Sequence, residues 1–183
     1  MSRWSIKALL GRAPFDVAVR ELYSATVAQA RQIGFYRDWA VPDSAIGRFD
    51  VIVLHSFFIL HRLQNEPSAE KFGEAYCGEV FADMDRNLRE MGIGDLSVGK
   101  KVRKLAEGFY GRAAAYDKAL AGDDAELCAA LERNLFAEAG PESKVLQEAA
   151  SYVRRNERIL EDQSVTDLIS GRIVFAPLDG GSK

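Results

Sequence analysis

The chain has 183 residues, of which 48% are hydrophobic and 28% charged, and a net charge of −3. That length suits one domain with a sizeable core, in a composition ordinary for a globular protein. The slight negative charge excludes a dedicated nucleic-acid binder, though not a local basic patch, and two widely separated cysteines exclude a disulfide framework or a cysteine zinc site.

The first stretch, MSRWSIKALLGR, is basic and mildly apolar but lacks the full apolar region and cleavage site of a secretory signal. Trp4, Ile6, Leu9 and Leu10 would let it lie on a membrane surface with Arg3, Lys7 and Arg12 outward. The preferred reading is a weakly ordered segment over residues 1–13, ahead of a single helical domain over 14–178. Pro14 suits the first turn of a helix running to about Ile33, with Phe15, Val19, Leu22, Thr26, Ala30 and Ile33 on its buried face and Gly34 at its end.

An aromatic connection, Phe35-Tyr36-Arg37-Asp38-Trp39, leads to a Val41-Pro42-Asp43 turn, and Asp43 or Ser44 caps the next helix. Tyr36 and Trp39 pack over a helix end in the preferred reading. In the alternative they form an exposed aromatic anchor for a partner. The helix from about Ala45 to Gln64 is apolar almost all round and should be central. Its run Val51–Leu60 is about half the roughly 20 residues needed to span a bilayer. A polar seam of Arg48, His55 and Arg62 crosses it, with Asp50 and His61 on a second seam. The two histidines lie on different sides of the helix, so they cannot form a helical metal pair. A hydrogen-bonded structural role for His55 is favoured over haem or metal ligation.

Pro67 and Ser68 restart the chain into a charged helix. Tyr76, Val80, Met84, Leu88 and Met91 share its apolar face, widened by Cys77 and Phe81. Both cysteines sit on apolar helix faces and read as reduced core residues. Glu79, Asp83, Arg86 and Glu90 form a charged row, and Asp85 and Arg89 an i,i+4 pair. Gly92 suits a left-handed helix end, and Ser97 is the expected N-cap of the following helix.

That helix carries Val98, Val102, Leu105, Phe109, Tyr116 and Leu120 inward and Lys100, Lys101, Arg103 and Lys104 on its other side. Cations near a helix N-terminus oppose its macrodipole, so something should offset them. The acidic row of the preceding helix, folded back as a hairpin, is the preferred source. A partner is the alternative.

Asp123 with Glu126 forms a capping box for a helix to about Ala139, and Gly140-Pro141 marks a boundary. A last long helix follows from about Pro141 to Leu160. Ser164 to Ile169 forms another turn or two, closed by Gly171. Arg172–Ala176 is the one strand-like run. With no second strand to pair with, it should lie extended on the bundle, and 179–183 should be disordered. The fold expected is all-α, a single-domain bundle of about six to seven helices with an extended C-terminal tail.

No nucleophile elbow, phosphate loop, dinucleotide fingerprint, CxxC or HExxH motif occurs. Asp83 and Asp85 diverge on a helix and cannot converge on one ion. Arg86 beside Glu79, Asp83 and Glu90 favours a structural ion row over acid–base chemistry. These residues read as a binder without catalytic, metal or cofactor site.

Two stretches, Leu22–His55 and Phe81–Tyr116, carry the ordered motifs QAR…FY…VPD…GRFD…LH and DMD…LREMG.GD. In them the chain resembles the ubiquinol–cytochrome c chaperone family, over about Leu22–Val153. It looks like a bacterial member without a mitochondrial transit extension. The resemblance implies an assembly chaperone for the cytochrome bc1 complex, not an enzyme, with cytochrome b or its assembly intermediate as partner. It leaves room for a second assembly factor, the ribosome and peripheral contact at the inner face of the cytoplasmic membrane, and implies a cytoplasmic location. It transfers no binding residues. The candidate partner residues are local inferences: Tyr36, Trp39, Arg48, Asp83, Arg86, Arg89, Glu90, Lys100, Lys101, Arg103 and Lys104. Helix-in-groove contact and charge complementarity are the two modes they suit. The rival is a helical binder of a lipid-like or quinone ligand, with Val51–Leu60 lining the pocket.

Overall fold

The computed structural model describes residues 15–137 and 139–178, with backbone alone at Asp95 and Leu96. The expected N-terminal segment, Pro14 and the 179–183 tail lie outside these residues. Among the described residues the chain is all-α and forms no strand. The long helices are α1 (Asp16–Ala30), α3 (Ala45–Leu63), α4 (Glu70–Glu90), α5 (Asp95–Leu120), α6 (Asp124–Asn134) and α7 (Ser143–Asp162). Two short ones, α2 (Gly34–Arg37) and α8 (Val165–Ile169), and a 3-10 turn at Pro67–Ala69 complete the order.

The apolar helix α3 is the centre, packed against α1, α4, α5 and α7. Ser44 opens it, its hydroxyl accepting from Gly47 N at 3.1 Å. Gly47 has no side chain because its first turn lies against the Pro42 carbonyl, which any Cβ would strike. Val51, Val53, Leu54, Phe57 and Ile59 are then buried from end to end. Helices α4 to α7 follow as successive hairpins, each packed on the next. Phe81 meets the Phe109 and Tyr110 rings across α4 and α5, and Arg154 meets Asp124 across α7 and α6.

Several boundaries differ from the sequence reading. α1 ends at Ala30, and Gly34 opens α2 instead of closing α1, so Ile33 turns outward at 64% exposure. Met91 also leaves the apolar face of α4, 65% exposed, because the helix stops at Glu90 and Gly92 takes φ +80°. Ser97 is not an N-cap. α5 begins three residues earlier behind Gly94, and the Ser97 hydroxyl donates back to the Gly94 carbonyl at 3.1 Å. α6 stops at Asn134, short of Ala139. Asp123 does cap it, accepting from Glu126 N at 2.9 Å.

After α8 the chain runs extended along the bundle. Gly171, at φ +84°, turns it against Ala18 and Glu21 of α1. Gln163 grips Val174 on both sides, its amide donating to the carbonyl and its oxygen accepting the N–H, each at 2.8 Å. Asn156 takes the Ala176 N–H at 3.0 Å, and Gln29 donates to the Ala176 carbonyl at 3.3 Å.

Candidate functional site

The aromatic connection folds inward. Trp39 is 2% exposed and sits edge-on to Phe35 and Tyr152, with ring centroids 5.2 and 5.5 Å away. The chain brings it there through Ala40, a non-glycine residue at φ +56°. Tyr36 is half-buried, and its hydroxyl donates to the Ala30 carbonyl at 2.7 Å, satisfying the end of α1. Burial raises the pKa of that phenol. Neither ring is an exposed anchor: both hold the α1–α3 junction. Arg48 is exposed and spans back to Asp43 at 2.6 Å.

The charged row of α4 closes on its own helix. Arg86 bridges Glu79 and Asp83, at 3.1 Å each, and Arg89 meets Asp85 at 2.6 Å. Asp83 also accepts the Tyr23 hydroxyl of α1 at 2.8 Å and the Asn87 amide at 2.9 Å. Burial and then the Asp83 carboxylate raise the Tyr23 pKa. Asp83 is therefore a structural acceptor joining α1 to α4. Glu90 is exposed and makes no ion pair among the described residues.

The cations of α5 are consequently left over. Lys100, Lys101, Arg103 and Lys104 are all exposed, and none forms a salt bridge among the described residues. The structure thus corrects the expected neutralisation across the hairpin. The two helices do pack, but the α4 carboxylates turn to Arg86, Arg89, Tyr23 and Asn87 instead. Because α5 starts at Asp95, the cations lie in its second and third turns, where the N-terminal dipole has weakened. They form an open positive face on a chain whose total charge is negative.

Polar groups that were not paired by sequence reasoning meet in the core. His55 Nδ1 lies 2.7 Å from the Val51 carbonyl, which only accepts, so Nδ1 carries the proton. Nε2 is then the acceptor for the Tyr152 hydroxyl at 2.8 Å, and Tyr152 accepts from Gln29 at 3.0 Å. Burial lowers the His55 pKa to about 4 and pushes the Tyr152 phenol up to about 12. Asp50, also buried, meets Arg112 at 2.9 Å, and at the surface His61 meets Asp117 at 2.8 Å. The seam of α3 predicted that such polar residues needed partners, but helical spacing does not say which helix supplies them.

Along the Val51–Leu60 run, Val51, Val53, Leu54, Phe57 and Ile59 are at most 2% exposed, while Ile52 is half-buried. A cavity of about 190 Å³ is lined by Phe58, Leu120 and Leu160 together with His61, Arg62, Glu157 and Glu161. One of about 420 Å³ borders Trp39, Lys144, Gln147, Glu148, Ser151 and Arg155. Both have mixed apolar and polar walls, and of the Val51–Leu60 run only Phe58 lines either of them. Among the described residues no group of three or more His, Cys, Asp or Glu side chains is arranged to hold a metal ion. No helix there is long and apolar enough to cross a membrane.

Comparison with known proteins gives consistent relatives. Assembly factor 1 of the ubiquinol–cytochrome-c reductase complex from Xenopus laevis is 27% identical over 179 residues, 97% of this chain and 85% of the relative. The mitochondrial protein CBP3 of Saccharomyces cerevisiae is 27% identical over 150 residues, 78% of this chain. The chain spans only 44% of that yeast protein and 58% of the mouse assembly factor. The crystal structure of the Cbp3 homolog from Brucella abortus superposes with a TM-score of 0.79 and 37% identity, covering 90% of this chain and 91% of that one. A sequence model for the ubiquinol–cytochrome C chaperone matches residues 37–175. That match runs from the aromatic connection through the last long helix and into the tail, and the chain belongs to the ubiquinol–cytochrome C chaperone family.

Proposed function

We propose that this protein is an assembly chaperone for the ubiquinol–cytochrome c reductase (bc1) complex that binds newly made cytochrome b. The observation that carries the reading is the family match over 37–175, in line with the names of its relatives. The region 14–178 acts as one helical chaperone domain. It works in the cytoplasm against the inner face of the membrane, where a polytopic client is inserted. The protein acts by binding and not by catalysis. In support, the α4 carboxylates are engaged by Tyr23, Arg86, Asn87 and Arg89 and do not converge on an open cleft.

The α5 face supplies the contact. Lys100, Lys101, Arg103 and Lys104 are exposed cations without counterions among the described residues, which suits the acidic or polar loops of a membrane-protein intermediate. A second assembly factor or the ribosome would add to this contact. Crosslinking of the tagged protein in its own cells, followed by mass spectrometry, tests both levels. Cytochrome b crosslinked through α5 is the expected result. Recovery of another bc1 subunit without cytochrome b would retain the assembly role and reject the client. Recovery of no bc1 component while the complex is being made would reject the role.

A further inference from the structure

The C-terminal segment sits in its groove as a bound peptide would. No main-chain ladder holds it among the described residues. Its backbone is read by side-chain amides instead: Gln163 takes both polar groups of Val174, and Asn156 and Gln29 take those of Ala176. Two alternate residues are thus each matched on N–H and C=O, the pattern by which a groove recognises an extended main chain whatever its sequence. The side chains fill apolar sites between those clasps. Phe175 lies edge-on to His55 with ring centroids 5.2 Å apart, Ala176 is fully buried, and Leu178 occupies the space left by Gly34, where a Cβ would overlap it. Val174, beside them, is 64% exposed and makes no demand. The path starts at the Gly171 turn, a single left-handed residue at φ +84°.

From this we infer that the groove between α1, α3 and α7 is a peptide-binding site, occupied in cis by residues 172–178. When the strap leaves, the groove takes an extended segment of another polypeptide with an aromatic residue, a small residue next to it and an aliphatic residue two further on. The clasping amides lie on α1 (Gln29), within α7 (Asn156) and just past its end (Gln163), in helices whose own backbone hydrogen bonds do not run through the strap, so the site outlasts its occupant. The inference is independent of which client the α5 face binds.

The test uses the full chain. Phe175→Ser with Leu178→Ser weakens the strap and leaves every groove residue in place. A dye-labelled peptide of the sequence Arg172–Leu178 should bind this variant saturably, at least tenfold more tightly than it binds the wild type, by fluorescence anisotropy. Adding Asn156→Ala should abolish that binding. No saturable binding to the variant, with its helical circular dichroism intact, overturns the site. Amide exchange on the wild type gives a readout that needs no variant. The Val174 and Ala176 amides should exchange at least a hundredfold faster than those of Leu54 and Phe58 in α3. Equal rates would mean that the strap opens only when the whole bundle unfolds, and would overturn the proposal as well.

Discussion

His55 of α3 and Tyr152 of α7 share a 2.8 Å hydrogen bond in which the histidine can only accept. The Val51 carbonyl fixes the imidazole proton on the other nitrogen, and the Gln29 amide approaches the tyrosine from behind. One buried neutral ring therefore aligns three helices.

This arrangement predicts an acid-sensitive fold. The folded His55 pKa is lowered from 6.5 to about 4 by burial, so the native state refuses a proton that the unfolded chain accepts. Its contribution is intact above pH 6.5 and is lost as the pH falls toward 4. Linkage gives a loss of about 2 kcal/mol between pH 7 and pH 5. Urea titrations across that window should show this slope in the wild type, and His55→Gln should flatten it. An unchanged slope in the variant would assign the acid sensitivity to other groups.

Trp39→Ala should destabilise the protein by about 3–5 kcal/mol, because it empties a site packed by Phe35, Phe136 and Tyr152. Tyr36→Phe should cost only about 1 kcal/mol, the net value of one hydrogen bond to the Ala30 carbonyl. Thermal unfolding of the two variants separates packing from partner contact. A Trp39→Ala protein as stable as the wild type would contradict the buried placement.

Tyr76→Phe removes the middle of a buried chain. Thr26 already donates to the Leu22 carbonyl, so it accepts from Tyr76, and Ser56 donates to Tyr76 in turn. Losing the hydroxyl strands Ser56, leaves Thr26 only its bond to the Leu22 carbonyl, and should cost about 1–3 kcal/mol in chemical denaturation. Restoring stability by adding Thr26→Val and Ser56→Ala would confirm that the cost comes from those groups.

Joint reversal of Lys100, Lys101, Arg103 and Lys104 to Glu should leave the unfolding midpoint nearly unchanged, since these residues hold no ionic partner among the described residues. It should nonetheless reduce client capture at least tenfold. Intact capture by the folded variant would remove the α5 face from the proposed contact.

Much of this bundle is legible in helical period alone. The caps at Ser44 and Asp123 and the central place of α3 follow from residue type and spacing. What spacing cannot carry is the partner of a side chain across the fold. Glu79 and Asp83 pair with Arg86 in the ion row their spacing suggests, but they do not reach the α5 cations, and the Tyr23 hydroxyl on Asp83 comes from α1. Trp39 is as hydrophobic in an anchor as in a core, and only the left-handed Ala40 decides that it turns inward. Ile33 and Met91 continue an apolar period past the point where the helix has stopped. The tail is legible as an extended run. Its clasps, formed by amides from 11, 20 and 147 residues away, are not.

The exposed cations of α5 have a kinetic consequence. Lys100, Lys101, Arg103 and Lys104 are exposed on one face without salt bridges among the described residues, so a molecule of net charge −3 still carries a local positive face. A negatively charged surface will turn that face toward itself before contact, within a Debye length of about 8 Å at physiological salt. Encounters then begin with α5 leading. Raising the ionic strength slows arrival and leaves the lifetime of the finished complex largely untouched.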